Sequence, residues 1–378
     1  MMELNRETIP QYLREHQSEI DFFDKDTELH VEEIGDGNLN FVYRVYDAAQ
    51  PDRSLVLKQA PPYIKILGPD YPLSPERLTF ESRSLDIYNQ LASETVPTQY
   101  YFDSDAAVIV MEDLKGYRLL RDELIAGLVN QTIPEKIARF MGRVHSQTYM
   151  NNLDNSTVDK YRQDFANTVM QSITADYVFT FPFTEHETNF YTDGLESTVG
   201  QLKSDEAFRE QADMLKSIFL RVQRGVTHGD LHTGSIMVNG ENAKVIDSEF
   251  AFYGPVAFDV GLFWANYLLS YFSHTNNPDV QLKLKTAILK TWETYTEAFE
   301  MEPSLKVRTL HMIFHEASGF AGMEMLRRII GAAHVKDIEN IENMNQKLCV
   351  ETAILKFGQT LVKDRNIIFN VGEMIELL

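Results

Sequence analysis

Apolar residues in the first third of the chain gather in short runs rich in Val, Ile, Phe and Tyr, at 29–34, 41–46, 55–59 and 108–111. Gly, Pro and Asp punctuate them, and such runs predict β-strands. One helix interrupts the series, with Ser74 as N-cap, Pro75 in the first helical position and an end near Leu91. Leu78, Glu81, Leu85 and Tyr88 share one face of it, so a carboxylate sits among inward-facing positions. Beyond residue 115 the spacing turns helical, at 134–147, 205–224, 279–300, 305–331 and 337–361. Two β-like segments stand apart in that half, 236–238 and 243–246, joined by the turn Asn239-Gly240. The pattern predicts an α+β chain of two lobes: a small, mainly antiparallel β lobe with a helix at 1–111, a hinge at 112–117 and a larger helical lobe at 118–378.

Composition narrows the function. The 378 residues are 44% apolar and 11% aromatic, enough for a substantial core, so global disorder is excluded. The net charge of −21 argues against nucleic acid as a partner, because a phosphate backbone needs clustered Lys and Arg. A small anionic ligand needs only a few local cations. The single cysteine, Cys349, makes neither an internal disulfide nor a cysteine zinc cage, and its apolar surroundings place it in the core. The N-terminal MMELNRETIP lacks the basic and apolar regions of a signal peptide. The most apolar segment, 261–272, is shorter than the ~20 residues that span a bilayer. A cytoplasmic protein with no membrane partner is expected.

Three constellations carry candidate chemistry. Ile34-Gly35-Asp36-Gly37-Asn38-Leu39-Asn40 lies between two strands. It is either an ordinary turn or a loop whose amides hold phosphate oxygens, and it matches neither the P-loop nor the dinucleotide-binding pattern. Lys58 ends an apolar strand, where it either snorkels to solvent or meets an anionic partner. Glu81 is the partner the helix face offers, though Arg77 and Lys65 compete for it. The third constellation is His228-Gly-Asp-Leu-His-Thr-Gly-Ser235 followed by Val245-Ile-Asp-Ser-Glu249. One carboxylate, Asp230, precedes a hairpin, and two, Asp247 and Glu249, follow it. Phosphoryl transfer needs this division: a base for the attacking hydroxyl and hard oxygen ligands for Mg²⁺. Alternation along a strand lets Asp247 and Glu249 share a metal. His228 reads as a loop organiser, since Gly229 rules out the helix that a zinc pair with His232 requires. His311 and His315 have helical spacing but no evident third ligand, which favours buried or interfacial histidines. Arg327 and Arg328 either complement a helix dipole or reach a substrate.

Together these residues resemble the aminoglycoside-phosphotransferase and choline-kinase branch of the protein-kinase-like fold, more narrowly the 5-methylthioribose kinases. The matching segments are Gly35-Asp-Gly-Asn-Leu-Asn40, Leu57-Lys-Gln-Ala-Pro-Pro-Tyr63, Met111-Glu-Asp-Leu114, the His228 loop, Asp247-Ser-Glu-Phe-Ala-Phe-Tyr-Gly-Pro255 and Arg327-Arg-Ile-Ile-Gly331. The resemblance implies an ATP-dependent kinase of 5-methylthioribose, a small-molecule substrate, with Mg²⁺ as cofactor and a homodimeric state. Asp230 would be the base at the sugar 1-hydroxyl. Asn38, Asn40, Lys58 and the segment Asp247-Ser248-Glu249 would face ATP, with the metal on Asp247 and Glu249. The backbone of Glu112, Asp113 and Leu114 would meet adenine, and Arg327, Arg328 and Tyr71 the sugar. Two positions depart from the pattern: Ser235 replaces the metal-binding Asn of protein kinases, and Tyr71 stands where the family usually carries Trp. Related kinases of homoserine, choline or an aminoglycoside are the alternatives within the class. An inactive nucleotide-binding scaffold has no need of Lys58, Asp230, Asp247 and Glu249 together.

Overall fold

The computed structural model describes residues 3–35 and 38–378. Two compact units emerge: residues Met1–Gly116 together with Asp247–Phe250, and residues Tyr117–Ile246 together with Ala251–Leu378. Asp36 and Gly37 of the glycine-rich loop lie outside the described residues.

The first unit opens with the short helices α1 (Ile9–Glu15) and α2 (Gln17–Ile20). Strands β1 (Leu29–Glu33), β2 (Phe41–Asp47) and β3 (Ser54–Gln59) follow, then the small hairpin β4 (Tyr63–Ile64) and β5 (Gly68–Pro72). Helix α3 (Arg77–Ala92) leads to β6 (Gln99–Asp103) and β7 (Val108–Glu112). The main sheet is antiparallel with strand order β1-β2-β3-β7-β6. Its central strand β3 is buried at every position, so its two faces feed two different apolar layers. Leu55 and Leu57 pack with Ile9, Tyr12 and Leu13 of α1. Val56 and Ala60, on the opposite face, pack with Leu78 of α3 and with Ile109 and Met111 of β7.

The four strands expected here are present with ends shifted by a residue or two, while β6 and the β4–β5 hairpin were not foreseen. Helix α3 starts later than its sequence suggests. Pro75 occupies a preceding turn, and the Ser74 hydroxyl accepts the Glu76 N–H at 3.3 Å instead of capping the helix.

The second unit begins with β8 (Arg118–Leu119) and the helices α4 (Leu120–Ile125), α5 (Thr132–Thr148), α6 (Asn155–Asp164), α7 (Thr168–Thr174), α8 (Glu196–Ser204) and α9 (Glu206–Arg221). Strands β9 (Gly225–Thr227), β10 (Ile236–Asn239), β11 (Asn242–Val245) and β12 (Phe252–Gly254) come next. The unit closes with α10 (Ala257–Ser273), α11 (Pro278–Ala298), α12 (Pro303–Ile330), α13 (Lys336–Glu339), α14 (Met344–Asp364) and α15 (Val371–Glu376). The most apolar stretch of the chain forms α10, buried from Ala257 through Tyr271, so its hydrophobicity serves the core. No helix among the described residues is long and apolar enough to cross a membrane.

Three expectations are corrected in this unit. The hairpin turn is Gly240-Glu241, because Asn239 pairs with Asn242 and Gly240 takes the positive φ of 59°. The helix expected at 337–361 is two helices, since the Asn343 side chain caps a new start by accepting the Gln346 N–H. Cys349 is exposed on α14 rather than in the core, because it falls between the buried positions Lys347 and Val350.

Candidate active site

In the first unit, strand alternation puts Lys58 on the same face as Val56 and Ala60, toward α3. It is 3% exposed, and a buried ammonium needs anionic partners. Its Nζ donates to both Glu81 carboxylate oxygens at 2.9 and 2.7 Å and to Asp247 Oδ1 at 2.6 Å. The rival cations are engaged elsewhere: Lys65 with Glu33, and Arg77 with Asn40 and Glu249. Burial draws the Lys58 pKa down, but Asp247, Glu81 and Glu249 outweigh it and hold the lysine protonated above its ordinary range. Glu81 responds first to its burial, and Asp247 and Glu249 add repulsion. These effects exceed the pull of Lys58 and push its carboxyl up to about 7.

Asp247 and Glu249 do not alternate along a strand. Strand β11 ends at Val245, Asp247 adopts a left-handed conformation with φ 63°, and Ser248–Phe250 form a 3₁₀ turn. The Asp247 side chain is therefore half-exposed, at 53%, whereas Glu249 is buried. Glu249 Oε2 accepts from Asn40 Nδ2 at 2.9 Å and lies 3.3 Å from Arg77 Nε. The Ser248 hydroxyl donates to Ser84 Oγ at 2.7 Å, since Ser84 spends its own proton on the Glu81 carbonyl. These are hard carboxylate donors on a firmly held segment, suited to a hard divalent cation such as Mg²⁺.

Arg77, offered by the sequence only as a rival partner for Glu81, is central to this cluster. It is 1% exposed, and all five of its N–H groups have acceptors. Its Nε serves Asn40 Oδ1 at 3.1 Å, while Nη1 and Nη2 serve the carbonyls of Leu73, Ser74, Leu39 and Pro61. The only hint in the sequence is an arginine one residue before the apolar face of a helix. Asn40 is consumed in the same web, its side chain lying between Arg77 and Glu249.

The remaining first-unit candidates are more peripheral. Asn38 is exposed, and its carbonyl accepts the Ile66 N–H. Tyr71 is 53% exposed on β5. Glu112 exchanges hydrogen bonds with Thr98, the Asp113 carboxylate accepts from Arg44 and Ser54 at 2.6 Å each, and Leu114 is half-buried.

In the second unit the loop from His228 to Ser235 is held by its own side chains and by Asp259. The Asp259 carboxylate accepts the N–H groups of His228 at 2.7 Å and Gly229 at 3.0 Å, with Gly229 at φ 82°. His145 Nε2 lies 3.2 Å from the same carboxylate. Sequence reading missed Asp259; its signal is a lone acid in the first turn of the most apolar helix. His228 is the organiser expected of it. Its Nε2 faces the Ile246 carbonyl at 2.9 Å and must carry the proton, which leaves Nδ1 to accept the Asp230 N–H. Ser235 closes the loop, its hydroxyl within 2.9 Å of the Asp230 carbonyl and 2.8 Å of the His232 carbonyl.

Asp230 is thus fixed at its backbone, and its Oδ2 lies 3.4 Å from His232 Nε2. Burial pushes its pKa up, but His232, Arg327 and Arg328 pull harder and hold it ionised well below the usual carboxylate range. The two arginines of α12 are set by Glu324, which is fully buried. Arg327 Nε and Nη2 reach it at 2.6 and 3.0 Å, and Arg328 Nε at 2.7 Å. Glu324 was not foreseen either; it stands one helical turn before the pair it serves. His315 is buried and its Nε2 lies 3.0 Å from that of the exposed His311.

Residues 30–297 match the model of the phosphotransferase enzyme family. A methylthioribose kinase from Geobacillus sp. (strain WCH70) is 37% identical over 367 residues, covering 94% of this chain and 91% of that protein. One from Bacillus velezensis is 37% identical over 365 residues, with the same coverage of each. Among solved structures, choline kinase from Cryptosporidium parvum Iowa II superposes with a TM-score of 0.52 at 14% identity, covering 97% of this chain and 98% of that one, a likeness of fold. The α+β, protein-kinase-like fold predicted from the sequence is the one observed. The chain belongs to the phosphotransferase enzyme family, in the branch of the bacterial methylthioribose kinases.

Proposed function

We propose that the protein transfers the γ-phosphoryl group of ATP to the 1-hydroxyl of 5-methylthioribose, giving 5-methylthioribose 1-phosphate in methionine salvage. The reading rests on near-full-length likeness to methylthioribose kinases. The observation that carries it is Asp230: a carboxylate kept ionised beside His232 and the Arg327–Arg328 pair, as a base for a neutral hydroxyl must be.

The second unit supplies the acceptor chemistry. Asp230 takes the proton of the attacking hydroxyl and orients it, while Arg327 and Arg328 hold the sugar. Cationic acceptors such as choline or an aminoglycoside are disfavoured by those arginines. The first unit supplies the nucleotide side. Lys58, aimed by Glu81, meets the phosphates, the backbone around Glu112–Leu114 meets adenine, and Arg77 and Asn40 fix Glu249. Asp247 and Glu249 would hold Mg²⁺, which when bound neutralises charge developing on the phosphates. Asn40 acts through Glu249, since its amide is already committed to that carboxylate and to Arg77. Tyr71 and the exposed Asn38 complete the proposed sugar and phosphate contacts, and the protein works as a cytoplasmic homodimer.

Coupled ADP release with Mg·ATP and methylthioribose, homoserine, choline or ribose in parallel tests the reading. Turnover with methylthioribose above the others is expected; its absence sinks the proposal.

A further inference from the structure

Beside the Asp230 loop lie two charged groups whose electrostatics are unfinished. Arg121, on α4, approaches the loop so closely that a methyl group built on Gly234 would lie 3.0 Å from its Nη1. Its Nε is buried without an acceptor, and among the described residues no hydrogen bond or ion pair reaches the guanidinium. Asp337, on α13, is 6% exposed, and among the described residues its carboxylate accepts from its own backbone N–H and from no other donor. The basic side chains that act on it are Arg121, His274 and Arg328. Two of these already have partners: Arg328 is bonded to Glu324 and the Ala333 carbonyl, and His274 to the Leu124 carbonyl. Arg328 in turn feels both Asp230 and Asp337, so it stands in the field of the base and of this second acid.

Buried charged groups in folded proteins are almost always paired, because an unmade bond costs the full desolvation of the group. The buried Asp337 carboxylate and the buried Nε of the half-exposed Arg121 lack such a partner among the described residues, and that points to a ligand. We propose that Arg121 and Asp337 are further acceptor-binding residues: Asp337 accepts from a vicinal hydroxyl pair of the sugar, and Arg121 donates to a sugar oxygen beside Gly234. A carboxylate suits a diol because it offers two acceptor oxygens to two O–H donors. Such a site rejects an acceptor lacking either hydroxyl by leaving the acid unpaired. The inference rests on the proposed sugar-kinase function and names which residues read the sugar ring.

Asp337→Asn and Arg121→Ala, prepared in the full chain, are expected to raise KM for methylthioribose about 10–100-fold, the loss of one hydrogen bond to a charged group. KM for ATP should stay at the wild-type value, and sugar affinity measured by calorimetry without nucleotide should fall by the same factor. The competing account is an internal Arg121–Asp337 ion pair with no ligand role. It predicts lower melting temperatures for both variants with an unchanged sugar KM, and that outcome overturns the inference while leaving the proposed function intact. A wild-type enzyme that fails to turn over methylthioribose removes the function and this inference together.

Discussion

The charged cluster of the first unit and that of the second are built on opposite plans. Around Lys58 and Arg77 every cation is met internally: Glu81, Asp247, Glu249, Asn40 and four carbonyls absorb their donors. Around Asp230 the buried Glu324 anchors the arginines, yet among the described residues no hydrogen bond from another residue reaches the Asp337 carboxylate or the Arg121 guanidinium. On the proposed reading the first cluster faces a nucleotide, whose phosphates are the same at every turnover, so a self-satisfied cradle costs nothing in selectivity. On that reading the second cluster faces an acceptor, which must be told from its analogues, and open charges would make that distinction because only the right hydroxyls satisfy them.

Four measurements press on this contrast. The largest effect is expected from Asp230→Asn. Loss of the base should lower kcat about 10²–10⁴-fold while ATP affinity by calorimetry is retained, and residual activity near wild type would remove Asp230 from the chemistry. Next comes Arg77→Ala in the satisfied cluster. Leaving Glu249 buried without its cation should cost about 3–5 kcal/mol in urea unfolding. Arg77→Lys keeps the charge but not the five-donor fork, so it should recover only part of that loss, and full recovery would mean geometry is unimportant there.

Asp337→Asn should do the reverse and stabilise the ligand-free protein. Burial raises the Asp337 pKa from 3.8 to about 6, so the folded state binds a proton there that the unfolded state has released. The group therefore costs stability as pH rises through 6, by about 3 kcal/mol at most once both states are ionised. The variant's advantage should grow between about pH 4 and pH 6, be complete above that and vanish below pH 4; a pH-independent difference would place the cause elsewhere. The smallest effect belongs to Ser235→Ala, which removes a hydroxyl that ties the loop to the carbonyls of Asp230 and His232. About 1–2 kcal/mol of stability and a modest fall in kcat are expected, and no change would show that Asp259 and the loop's histidines set it without the hydroxyl.

Much of this arrangement was readable before any coordinates. Strand periodicity located Lys58, helical periodicity turned Glu81 toward it, and the order His228, Asp230, Asp247, Glu249 marked the candidate site. Arg77, Asp259 and Glu324 were not legible. Each is a single charged residue in a helix: Arg77 and Asp259 draw their importance from groups 16 to 172 positions away, which no local pattern encodes, and Glu324 from a pair three and four positions on that only its burial makes significant. The failed expectation for Asp247 and Glu249 has the same origin. Their spacing read as a strand, whereas Asp247 is turned left-handed and Ser248 is drawn to Ser84 on α3, so the two carboxylates differ in exposure.

The sequence by itself determined the alternation of strands and helices, the family and the short-range motifs, because these depend on residue type and spacing within a few positions. Tertiary structure alone decided which charges are satisfied. A carboxylate's worth depends on what lies within about 3 Å of it in a low-dielectric interior, and that distance is set by packing. Glu324 and Asp337, both acids in or just after the same helical region, show the outcome: the first is neutralised by two arginines, and the second finds no donor beyond its own backbone N–H among the described residues.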